Sequence, residues 1–121
     1  MAKRVRRKQA ARNERGAVTV EAAIGLTALF VALGMLLYGL SAAADQVRCV
    51  DAAREAARLI ARGDDDQARE AAARIAPTDA DIEVNIDGDH IHVSVHATPP
   101  GDLLPGVHLH ADAFAVREPA E

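Results

Sequence analysis

The sequence predicts an α+β chain. A long N-terminal helix, half membrane-spanning and half protruding and amphipathic, is followed by a short helix and a small antiparallel three-stranded sheet. Three observations predict it. Residues 22–44 form 23 consecutive positions without a charge, residues 45–62 continue at helical spacing, and beyond Pro77 the apolar residues alternate instead. Of 121 residues, 27 are alanine, three are aromatic (Phe30, Tyr38 and Phe114), none is Trp and Cys49 is the one cysteine. That length holds one small domain with attachments. A single cysteine closes no disulfide within the chain and builds no zinc ribbon. Outside the apolar run too few bulky side chains remain for a large enzyme core, so an enzyme is not expected and no cofactor is implied. Charge divides the chain: residues 1–16 carry seven basic groups and one acid (+6), and residues 17–121 carry seven basic groups and 17 acids (−10).

The first element, 1–16, is a basic leader without apolar periodicity. The apolar run beside it explains that charge better than nucleic-acid binding does. About 20 apolar residues cross the hydrocarbon of a bilayer, and lysine and arginine beside a span hold that side in the cytoplasm. The expectation is a single-pass cell (inner) membrane protein with its N-terminus cytoplasmic and its acidic remainder outside. Past the span, Cys49, Val50, Ala53, Ala56, Ala57 and Ile60 form a narrow apolar stripe at helical spacing. Opposite charges sit three apart at Asp45/Arg48, Asp51/Arg54 and Glu55/Arg58. Gly63 is a natural stop. A helix over residues 17–62 is roughly 69 Å long at 1.5 Å per residue, more than a bilayer needs, so its protruding half must lie against a domain or a partner.

Residues 63–121 form a small extracytoplasmic region. Asp64 to Asp66 can cap a helix that runs to about Ile75, and Pro77 ends it. Ile82, Val84 and Ile86 alternate with polar residues, Asp87-Gly88-Asp89 reads as a tight turn, and Ile91, Val93 and Val95 alternate in a returning strand. After the loop TPPGDLLPG, Val107, Leu109 and Ala111 start a third strand, while Phe114 and Val116 fall on the opposite parity. A bulge near Ala113 or an edge strand covered on both faces would reconcile the two. From residue 63 onward there are 13 large aliphatic or aromatic side chains. Domains this small usually need a staple, a metal or a partner, so this one is expected to lean on the long helix or on a partner.

The junction Arg15-Gly16-Ala17-Val18-Thr19-Val20-Glu21 carries the chemistry. A carboxylate at the mouth of a span is a functional-site signal, because its desolvation is costly. The bland alternative is a first-turn acid favoured by the helix dipole. Gly16 with Glu21 five residues beyond it resembles the processing junction of type IV prepilins. The run VRCVDAAREAARLIARGDDD resembles the TadE-like minor pilins (pseudopilins) of actinobacterial tight-adherence, or Flp-type, pili. The resemblance covers nearly the whole chain and implies a type IV pilin-like fold. It implies that a membrane prepilin peptidase cuts between Gly16 and Ala17 on the cytoplasmic side. It further implies that Glu21 pairs with the new amino terminus of an adjacent subunit and sets subunit register. The implied partners are that peptidase, other pilin subunits, the pilus assembly machinery and the membrane. Two positions depart from the pattern. Ala22 stands where major Flp pilins have Tyr, and Ala17 where many type IV pilins have Phe; both leave amino-terminal methylation and tip-versus-shaft placement open.

Two other fates compete. The chain stays uncut as a membrane-anchored accessory protein with an outward interaction domain, or a signal peptidase cuts after Ala42-Ala43-Ala44 and releases 45–121. Against the second, the apolar run from Ala22 to Leu40 exceeds the ~7–15 residues of a signal-peptide core. Within the span Gly25, Ala28 and Ala32, and then Gly39 and Ala43, have the spacing of close helix packing in lipid, although an alanine-rich composition alone also produces it. His90, His92 and His96 share one parity, as do His108 and His110. Histidines two apart on a strand point the same way, so His90 and His92 are weak metal candidates; a solvated face that charges at low pH is the plainer reading. Cys49, just outside the span, is small buried filler or the seat of an intermolecular disulfide. Asp64–Asp66, Asp79 and Asp81 lack the glycine and closing glutamate of a calcium loop. Ser41 and Ser94 have no nucleophile motif around them.

Overall fold

A computed structural model describes residues 2–101 and 105–117, with side chains described from residue 16 onward. The basic side chains of the leader and part of the TPPGDLLPG loop lie outside the described residues. The elements are α1 (Ala2–Ala61), α2 (Asp65–Ile75), β1 (Asp81–Asp87), β2 (His90–Ala97) and β3 (Leu109–Val116). This is the α+β layout the sequence predicts: a long helix, a short helix and a three-stranded antiparallel sheet. The chain divides into two compact units, Met1–Tyr38 and Gly39–Glu121.

In the first unit α1 starts earlier than residue 17, the predicted start, because the leader is helical too. The leader has no apolar face to bury, but Ala, Arg, Lys and Gln are good helix formers and one glycine does not stop a helix. The segment Gly16–Ala61 is long and apolar enough to cross a membrane, with a mean hydropathy of 2.2 over its most apolar window, none of which is buried within the chain. Thr27 hides its hydroxyl in this stretch by donating to the Ala23 carbonyl at 2.8 Å, the back-bonding that spares an apolar environment a free polar group.

The second unit is built on the C-terminal part of α1. Cys49, Ala52, Ala53, Ala56, Ala57 and Ile60 are buried to 3% exposure or less. They share one core with Ala68 and Ala72 of α2, with Ile91, Val93, Val95 and Ala97 of β2, and with Leu109, Ala111 and Ala113 of β3. The expected stripe is therefore the domain's seam, with Ala52 added and Val50 half-buried. Its side chains are mostly single methyl groups. Gln46 pins the same helix to β3: its Nε2 donates to the His110 carbonyl at 2.7 Å, and its Oε1 accepts from the His110 N–H at 3.2 Å.

Gly63 ends α1 as expected. Its φ of +88° is open to glycine at no steric cost. The Gly63 N–H donates to the Ile60 carbonyl at 2.9 Å and the Asp64 N–H to the Leu59 carbonyl at 3.0 Å, the paired bonds of a Schellman stop. Asp64 then occupies the N-cap of α2, but its side chain makes no cap hydrogen bond. The expected capping role passes instead to Asp65 and Asp66, acids in the first turn that the helix dipole favours.

The sheet order is β1-β2-β3. Gly88 and Asp89 form a two-residue hairpin loop between the paired Asp87 and His90. Positive φ falls on Gly88 (+60°) and not on Asp89, the pattern of a type II′ turn, which matches the twist of the strands. The third strand corrects the sequence reading. It starts at Leu109 rather than Val107, and its pairing runs without interruption from His90↔Val116 to Ala97↔Leu109, so there is no bulge. Nor is it covered on both faces. Leu109, Ala111 and Ala113 turn inward, while Phe114 and Val116 remain 77% and 59% exposed on the outer face.

Candidate functional site

At the predicted junction, Gly16 and Ala17 are exposed residues within α1. Nothing would lie within 4 Å of a Cβ added at Gly16, so the glycine is not required by packing inside the chain. A protease needs a locally extended backbone, and glycine costs a helix about 1 kcal/mol relative to alanine, which eases local unwinding at this position. Glu21 is exposed on the same helix, and no ion pair involves it among the described residues. One helical turn separates it from Ala17. Gly25, Ala28, Ala32, Gly39 and Ala43 are likewise exposed among the described residues.

Beyond the apolar segment the charges are mostly structural. Glu55 accepts two bonds from the Arg58 guanidinium, from Nε at 3.0 Å and Nη2 at 2.8 Å. That hydrogen bonding lowers the Glu55 pKa and raises that of Arg58. Asp45 and Arg48 approach to 3.6 Å; the expected Asp51–Arg54 pair does not form among the described residues. Cys49 is fully buried. Burial first, and the nearby Asp45 charge second, push its thiol pKa up. A thiol that is buried and reluctant to ionise is filler rather than a partner for a disulfide.

The histidines assemble on the outer face of the sheet. Strand alternation places His90, His92 and His96 of β2 and His110 of β3 on the side away from the core, with Asp81, Glu83 and Asp87 of β1 beside them. Asp112 gathers two of the imidazoles: His92 Nε2 lies 3.0 Å from Oδ1 and His110 Nε2 lies 2.6 Å from Oδ2. An ionised carboxylate only accepts, so both rings donate through Nε2. His92 stacks on Phe114 with centroids 4.5 Å apart and planes 6° from parallel, and His96 stacks on His110 at 4.7 Å. The two weak metal candidates separate here, since His92 is engaged by Asp112 and Phe114 while His90 lies opposite Asp87 and Val116. Among the described residues no group of three or more His, Cys, Asp or Glu side chains is arranged to hold a metal ion. Parity groups His90, His92 and His96 on one face of β2, whereas His108 precedes β3 rather than lying on it; nothing in the sequence signals Asp112 as the acceptor shared by His92 and His110, because that depends on strand register.

The chain is 44% identical over 100 residues to the protein of Mycobacterium tuberculosis (strain ATCC 25618 / H37Rv) named apoptosis inhibitor Rv3655c, a match covering 83% of this chain and 78% of that one. The chain belongs to the Rv3655c family. A match of 100 residues within 121 must take in residues 22–100. Kinship with the Rv3655c family therefore extends through the apolar helix, α2 and the first hairpin. No family profile and no solved structure matches the chain.

Proposed function

We propose that the chain is a TadE-like minor pilin, or pseudopilin, of a Tad (Flp-type) type IV pilus. In this reading it is made as a precursor with its N-terminus in the cytoplasm and residues 45–121 outside. The prepilin peptidase cuts it between Gly16 and Ala17, and it then joins or primes pilus assembly. The observation that carries the reading is the placement of Gly16 and Glu21 at the head of one exposed apolar helix, with Glu21 lacking an ion pair among the described residues. The cut leaves an α-amino group on Ala17. A carboxylate in a low-dielectric setting is costly unpaired and gains from an opposite charge, so the new amino terminus of an adjacent subunit supplies what Glu21 lacks. Removing residues 1–16 also strips a charge of +6 from the cytoplasmic side, which frees the helix to be drawn into a filament.

The mass and first residue of the protein recovered from membranes or sheared fibres test this. Loss of 16 residues, starting at Ala17, is expected. An intact chain favours the uncut anchor, and loss of 44 residues favours the released domain.

The name of the relative supports a second reading, in which this chain too inhibits apoptosis. It is compatible with release of 45–121, because the first buried core residue is Cys49 and a cut after Ala44 spares the whole seam. Caspase activity in animal cells given the purified domain and then an apoptotic stimulus decides it: a fall is expected on this reading and no change on the first.

A further inference from the structure

We propose that the cleft at the foot of the Gly39–Glu121 unit binds the headgroup of a zwitterionic aminophospholipid, with Arg48 on the phosphate and Asp79 on the primary ammonium. The proposal rests on the membrane-crossing part of the reading above, with residues 45–121 outside, and not on the cut after Gly16. The cleft, of about 460 Å³, is lined by Asp45, Arg48, Thr78, Asp79 and Thr98 together with two prolines. Three elements meet there. Thr78 and Asp79 precede β1 and Thr98 follows β2, so both come from the end of the sheet where Asp81 pairs with His96. His110 lies opposite His96, and Gln46 binds the His110 main chain, which sets the start of the protruding helix against that same end. The last uncharged residues, Gly39 to Ala44, belong to the same unit, so the depth of the cleft follows from the helix. Arg48 lies four residues past Ala44, roughly 6 Å at 1.5 Å per residue. The headgroup layer on each side of the hydrocarbon is about 5–8 Å thick, and Arg48 falls within it.

The lining selects the kind of lipid. Arg48 stands beside two carboxylates, Asp45 and Asp79. It approaches Asp45 only to 3.6 Å, beyond hydrogen-bond distance, so its guanidinium keeps donors for a phosphate, which it grips as a fork. No ion pair involves Asp79 among the described residues. A purely anionic headgroup satisfies Arg48 but brings its charge against the two acids. A choline headgroup carries positive charge without an N–H to donate. An ethanolamine headgroup joins a phosphate to an ammonium with three donors, and so answers guanidinium and carboxylate at once. The hydroxyls of Thr78 and Thr98, both exposed residues of the lining, supply further donors for the phosphate oxygens.

Native mass spectrometry of the full chain in detergent micelles, titrated with one lipid of matched acyl chains at a time, tests this. Phosphatidylethanolamine is expected to bind about tenfold more tightly than phosphatidylcholine, the size of one charge-assisted hydrogen bond, and more tightly than phosphatidylglycerol. Asp79→Asn removes the carboxylate but keeps a residue that tolerates the left-handed backbone at this position, φ +63°, so it should bring the two zwitterionic lipids level. Arg48→Gln, at a mostly exposed side chain, should weaken both and leave their ratio unchanged. A damaged fold would weaken both lipids in either variant, so loss of the ratio in Asp79→Asn alone is the signature. The proposal is overturned if phosphatidylethanolamine has no advantage, if phosphatidylglycerol binds best or if Asp79→Asn keeps the preference. It is equally overturned if soluble glycerophosphoethanolamine competes as well as the lipid. Labelling of Gln67→Cys on intact producing cells by a membrane-impermeant maleimide reads the topology separately. An unlabelled chain overturns the outside placement, whereas a labelled chain without lipid preference overturns the lipid site alone.

Discussion

Single side chains explain much of the behaviour expected of this chain. Cys49 is fully buried and its pKa is raised by that burial. A thiol whose folded pKa lies above its unfolded value contributes stability below the unfolded value, near 8.5, and loses it as the pH rises through the folded one. Alkaline melts should therefore fall more steeply for the parent chain than for Cys49→Ala. Maleimide should label Cys49 only after denaturation. On the proposed function Glu21 makes the opposite kind of prediction, because the partner proposed for it lies outside the single chain. Glu21→Ala should leave the cut after Gly16 intact, read by mass, yet reduce the pilus material recovered by shearing; undiminished yield would remove Glu21 from any part in assembly. Gly16 replaced by a bulky residue should leave the precursor uncut. The proposed junction rests on a spacing of two residues, Gly16 and Glu21. What Glu21 pairs with was not legible, because the proposed pairing belongs to an assembly.

At the scale of elements, the stop at Gly63 and the alanine seam are the parts most open to challenge. No side chain crowds Gly63, so Gly63→Ala carries only the strain of a left-handed backbone, and a loss of about 1 kcal/mol is expected in denaturant melts. The seam is sensitive to added bulk. Ala53 and Ala56 are 0% exposed, and Ala56→Leu should cost about 1–3 kcal/mol by overpacking. The same change at exposed Ala73 should cost almost nothing. These elements were readable because helical and strand periods differ and most residues obey one of them. The third strand was misread for a physical reason. Phe114 and Val116 are apolar but face outward, and apolar parity alone suggested a bulge. The cover that Phe114 does receive comes from His92 across the strand pair, a contact no local pattern announces. The leader was misjudged in the other direction, since it is helical from propensity alone with no face to bury.

For the molecule as a whole, the expectation that a poorly furnished domain would borrow a helix is met inside the Gly39–Glu121 unit, where α1 supplies six of the buried core residues. A chain beginning at Asp45 should thus keep a cooperative thermal transition, followed by circular dichroism, whereas one beginning at Ala57 loses Cys49, Ala52, Ala53 and Ala56 and should not fold. The kinship with Rv3655c runs through both the apolar helix and this unit, so neither is an incidental attachment. The alanine seam has one further consequence. Alanine has no rotamers to immobilise, so docking this helix onto the sheet forfeits almost no side-chain freedom. A domain with few large residues can close at little entropic cost, and closure there is mainly a matter of bringing two backbones together.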